Sequence, residues 1–137
     1  MCLAVFLASD RPLPLVPWQE ERPSFNVTEL EPDETRVRGR FSKRHVYYLG
    51  AYTGCSCGFT PDDDAEEEAS TRSREDLVRY VSDALAANDR GSLELFTCWD
   101  DDYLEPAAKR LDIGPDALRD PDLWFDEFVF ATVRSGD

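Results

Sequence analysis

Cys2-Leu3-Ala4-Val5-Phe6-Leu7-Ala8 is an apolar run without a polar break, closed by Ser9-Asp10-Arg11-Pro12. A strand covered on one face alternates apolar and polar residues, so an unbroken run predicts a strand buried on both faces, at the centre of a sheet. Beyond it, Pro12, Pro14 and Pro17 hold the chain extended as far as Trp18, which is expected to fold back as a cover on the core. A second strand follows, with Phe25, Val27 and Glu29 on one face and Asn26, Thr28 and Leu30 on the other, until Glu31-Pro32-Asp33 makes a turn. Val46 to Tyr52 predicts a third strand. Leu93 to Trp99 predicts a fourth, with Leu93, Leu95, Thr97 and Trp99 facing one way and Glu94, Phe96 and Cys98 the other. Phe125 to Val133 closes the series as an aromatic strand.

Helical signals lie between these strands. Ser73-Arg74-Glu75-Asp76 has the pattern of a capping box, and Leu77, Val81 and Leu85 then recur every fourth residue, so the main helix is expected to start there and end at Asn88-Asp89-Arg90-Gly91. The acidic run Asp62 to Glu68 repels itself and reads as a solvated loop spanning 60–70 or an exposed first helical turn. Pro106 suits the first position of a short helix through Leu111, and Gly114-Pro115 precedes another around Ala117 and Leu118. The sum is one α+β domain over residues 1–137. It is expected to have a mainly antiparallel or mixed sheet of about five strands, with one main helix and short helices packed on one face.

A chain of 137 residues, 42% of them hydrophobic, is long enough to enclose a core without staples. Its 29 acidic and 15 basic residues leave a net charge of −14, which disfavours attraction to phosphate backbones and anionic lipid. Nucleic-acid and membrane-surface partners are therefore not expected, whereas another protein is. The opening residues lack a basic segment ahead of a signal core, and no stretch reaches the length of a membrane span. The expected location is cytoplasmic, where thiols are kept reduced.

That setting makes the four cysteines candidates for chemistry. Cys55-Ser56-Cys57 lies between Gly54 and Gly58, while Cys2 and Cys98 end other apolar runs, so all four are candidate zinc ligands. Two sulfurs on one zinc must lie about 3.8 Å apart, given Zn–S bonds of about 2.3 Å, whereas residues two apart in a flat strand are separated by about 6.6–7 Å. The segment must curl, and the two glycines supply the freedom to do so. His45 is a candidate substitute ligand. Cysteine is also a small hydrophobe, and Cys2 and Cys98 fit that role equally well.

Two enzyme readings stand beside the cluster. Cys55 and Cys57 could cycle between dithiol and disulfide, although so small a ring is strained and easily reduced. The Met1-Cys2 start leading into a strand resembles that of N-terminal-nucleophile amidohydrolases, over residues 1–8. The resemblance implies that removal of Met1 would expose the Cys2 thiol with its own α-amine as base.

The last candidate is a surface. Arg36, Arg38, Arg40, Lys43 and Arg44 occur with no acidic residue among them, in a chain that is acidic elsewhere. In an extended segment Arg36, Arg38 and Arg40 would share one side, and with Arg44, Tyr48 and Tyr52 they form a candidate anion- or partner-binding set. The sequence thus reads as a small cytoplasmic interaction or binding domain carrying a thiol or zinc cluster. A cysteine-dependent enzyme, by thiol redox or an N-terminal nucleophile, is the alternative.

Overall fold

A computed structural model of the chain describes residues 3–61, 64–87, 91–99 and 102–135. Among them a six-stranded mixed sheet runs in the order β2-β3-β1-β4-β6-β5. The strands are β1 (Leu3–Ser9), β2 (Asn26–Glu29), β3 (His45–Gly50), β4 (Ser92–Trp99), β5 (Lys109–Ile113) and β6 (Val129–Arg134). The unbroken apolar run is central, as its composition requires: β1 is antiparallel to β3 on one side and to β4 on the other. Only β5, beside β6, pairs in parallel.

Each sheet face has its own core. On one, Val5, Leu7, Leu49, Leu95 and Val133 meet Leu77, Val81 and Leu85 of the main helix α1 (Glu67–Ala86), together with Leu118 and Trp124. Trp124 belongs to the short helix α2 (Pro121–Trp124), is fully buried and donates its indole N–H to Leu118 O at 2.9 Å. On the other face, Phe6, Phe96, Cys98 and Phe130 lie under Val37 and Tyr103. Burying each such side chain contributes roughly 1.5–3 kcal/mol, so both faces hold the sheet together.

Five sequence expectations need correction. The second face is not left without a helix, because Pro32–Arg40 is a 3₁₀ helix rather than an extended basic stripe. Pro32 opens it, Glu31 and Glu34 cap it reciprocally, and burial of Val37 anchors it, so its arginines spread around an axis. Residues 109–113 form β5 instead of the end of a short helix, because Ala108 and Lys109 both donate to Phe128 O and lead the chain alongside β6. The main helix begins at Glu67, six residues before the expected cap; Ser73 lies inside it, and its hydroxyl accepts from Tyr52 N at 3.0 Å instead. The third strand stops at Gly50. The last one starts at Val129, after Phe128 takes a left-handed φ of 55°. Asn88 to Arg90, expected to end α1, lie outside the described residues.

Candidate thiol site

The loop after β3 is shaped by a few polar contacts. Asn26, almost fully buried, donates its amide to Ala51 O at 3.0 Å and fills the space where any side chain on residue 50 would lie, so only glycine fits at the last position of β3. The chain then reverses: Gly54 N donates to Ala51 O at 3.0 Å, and Ala51 N donates to Cys55 O at 2.9 Å. Gly54 adopts φ +86°, a conformation that costs an L-residue about 1–2 kcal/mol.

Ser56, between the two cysteines, keys this turn into the sheet. Val5 and Leu49 are register partners on β1 and β3, yet Val5 N donates to Ser56 Oγ at 3.0 Å and Ser56 Oγ donates to Leu49 O at 2.5 Å. The hydroxyl thus stands between two strands that would otherwise bond directly. Ser56 N donates to Tyr48 Oη at 3.0 Å, so Ser56 is held from three sides with no exposure to solvent. A short 3₁₀ turn, Ser56–Phe59, follows, and Phe59 is fully buried with Trp124 edge-on at 5.6 Å. With residues 56 and 59 buried, Cys55 and Cys57 are carried together at the half-buried rim.

The curl expected from the flanking glycines is present as the turn Ser56–Phe59, and Cys57 is among the groups that act on the Cys55 thiol. Thr53 Oγ1 lies 3.4 Å from Cys55 Sγ and 3.0 Å from Cys55 O. Its single proton serves the carbonyl while the thiol is protonated and can turn to the sulfur once a thiolate forms. Partial burial pushes the Cys55 thiol up. The Thr53 hydroxyl, the Cys57 thiol and the amides of Cys57 and Cys55 outweigh it, leaving the thiol more acidic than an ordinary cysteine. Gly58 leaves room for this: a Cβ there would lie 2.7 Å from Thr53 Oγ1 and displace the donor.

The other predicted residues lie elsewhere. Cys98 is buried in the second-face core beside Phe96, and Cys2 lies outside the described residues. His45 pairs with Ser9 at the opposite end of β3. Among the described residues no group of three or more His, Cys, Asp or Glu side chains is arranged to hold a metal ion. Arg36 stacks over Tyr103 at 5.9 Å, and Arg40 over Phe96 at 4.6 Å while bonding Glu105 O. Burial, then the charge of Arg110, pulls the Arg40 guanidinium below its usual value, with Cys98 opposing. Arg38 donates to Arg44 O at 3.4 Å. Tyr48 lies edge-on to Phe6, its phenol kept above the usual value by burial, with hydrogen bonds from Ser56 opposing. Tyr52 lends its backbone to the thiol loop, donating to Ser73 and accepting from Trp18 Nε1 at 2.9 Å.

Thr53, Ser56 and Trp18 complete the site and do not stand out as site residues in the sequence. Only the position of Ser56 between two thiols hints at its role, because a hydroxyl's value here depends on strands far away in the chain. Comparison with protein-family models, with curated proteins and with solved structures gives no match.

Proposed function

We propose that Cys55 and Cys57 form a reactive dithiol and that the domain carries out thiol–disulfide exchange, with Cys55 as nucleophile. One observation carries this reading: two adjacent thiols at the surface, with the Thr53 hydroxyl 3.4 Å from the first sulfur. The Cys55 thiolate attacks one sulfur of a substrate disulfide. A Cys55–S bond forms, the substrate S–S bond breaks, and its electron pair leaves on the other substrate sulfur, which takes a proton from water. Cys57, losing its proton to water, can then attack Cys55 Sγ, releasing the second substrate thiol and closing an intramolecular disulfide. That ring spans a single intervening residue, is strained and reopens readily, which favours exchange over accumulation of the oxidised protein.

The test is the rate of iodoacetamide alkylation at each cysteine against pH, read by peptide mapping. Cys55 is expected to react with a midpoint below that of a free thiol, about 8.5, and Cys57→Ala to move that midpoint upward by removing a donor. A Cys55 midpoint at or above the free-thiol value overturns the reading. The pair would also supply two of a zinc ion's four ligands, with Cys98, buried in the second core, not among the others. Stoichiometric zinc in protein purified without an affinity tag would replace exchange with that role.

A further inference from the structure

We propose that the disulfide exchanged at Cys55 belongs to a polypeptide with apolar and basic residues beside its cysteine, and that Trp18 is the platform on which this segment docks. The inference rests on the dithiol reading and adds its substrate class. Trp18 is 41% exposed, yet its ring is not loose. The indole N–H donates to Tyr52 O at 2.9 Å, and ring atoms lie 3.5–3.7 Å from where a Cβ on Gly54 would be, one residue before Cys55. The backbone is fixed on both sides, by the Val16–Val27 bridge and by Arg22 N donating to Gln19 O. An ordered indole, half in water, at the margin of a nucleophile is an unfilled contact, since such rings supply large area at low entropic cost when a partner covers them.

Two further observations choose the occupant. The large apolar side chains left exposed among the described residues are Leu15, Trp18 and Leu104, and the first two lie within four residues on this strap, Leu15 at 50%. A small hydrophilic disulfide would leave both uncovered, whereas a peptide segment spans them. The strap then continues with exposed Glu20 and Glu21, in a molecule of net charge −14. That field repels the anionic disulfide of glutathione and attracts a basic segment.

The reduced full-length chain is mixed separately with oxidised glutathione, with cystamine as a small cationic probe, and with a basic peptide disulfide flanked by leucine and phenylalanine. Mixed-disulfide formation at Cys55 is followed by acid quench and peptide mapping. The peptide is expected to react fastest and glutathione slowest, and Trp18→Ala to shrink the peptide-to-cystamine rate ratio about tenfold. Trp18→Phe, which keeps a ring, should retain most of that ratio, and added salt should narrow the gap between cystamine and glutathione. A Trp18→Ala variant that slows every probe by the same factor makes Trp18 a structural residue and overturns the inference. So does glutathione reacting as fast as the peptide. If no probe reacts, the dithiol reading falls and this inference with it.

Discussion

Ser56, between the two cysteines, does more to place their sulfurs than either cysteine does. Its hydroxyl satisfies Val5 N and Leu49 O at once, in a position without solvent. Ser56→Ala leaves a buried amide without its acceptor, a penalty of about 1–3 kcal/mol, and frees the segment that aims both thiols. Urea unfolding should record that loss, and alkylation of Cys55 should lose its preference over a free thiol in the same variant. Thr53→Val separates acidity from placement. Removing a donor to the thiolate should move the alkylation midpoint of Cys55 to higher pH while thermal stability at neutral pH changes little. Because the folded thiol is the more acidic, Cys55 contributes stability above the ordinary thiol value that is lost as pH falls through the folded one. A Thr53→Val chain should show a smaller such loss; an unchanged midpoint would remove Thr53 from the site.

At the scale of elements, the strap of residues 10–24 is tied down by a few side chains. Tyr80 Oη on α1 donates to Pro14 O at 2.6 Å, and Leu13 N donates to Tyr47 Oη at 2.9 Å. Tyr80→Phe should cost about 0.5–1.5 kcal/mol and act locally. Amide exchange at Val16 should quicken more than at Val81 in the helix core, and equal acceleration at both would mean that the strap is part of the global unit. The contrast follows what the sequence made legible. Residues 3–9 carry an unbroken apolar run, 77–85 and 92–99 carry their own periodicity, and β1, α1 and β4 follow these signals. Lys109-Arg110-Leu111-Asp112-Ile113 alternates too weakly to declare a strand, and its reason for being one lies in β6, which holds it from outside. The basic segment fails differently: alternating arginines suggest a stripe, but Pro32 and the Glu31–Glu34 cap dictate a 3₁₀ helix whose arginines stack on rings of the second core. The thiol pair was legible as a pair, because Gly54 and Gly58 announce a curl. The expectation that Cys98 would join it assumed that ending an apolar run means facing the same pocket, whereas alternation along β4 turns Cys98 into the second core.

For the whole molecule the governing quantity is charge. The ion pairs on its surface, including Arg72–Glu68, Arg79–Asp76, Arg119–Glu75 and Arg134–Asp112, join exposed or half-exposed groups and contribute about 0–1 kcal/mol each. Against them stand 29 acidic residues and 15 basic ones, so over the chain as a whole like-charged pairs outnumber oppositely charged ones. Salt weakens both, but contact pairs at 2.6–3.8 Å lie well inside the screening length and lose least. Long-range repulsion loses most, as that length falls from about 30 Å at 0.01 M to about 8 Å at 0.15 M. Added sodium chloride over that range is therefore expected to raise the melting temperature by about 3–6 °C, the equivalent of roughly 1 kcal/mol in a domain of this size. Differential scanning calorimetry at fixed pH measures the shift. Sodium sulfate at matched ionic strength should go further, since it also favours apolar burial. A melting temperature that falls with added chloride would show that the surface pairs, and not the net charge of −14, dominate the electrostatics of the fold.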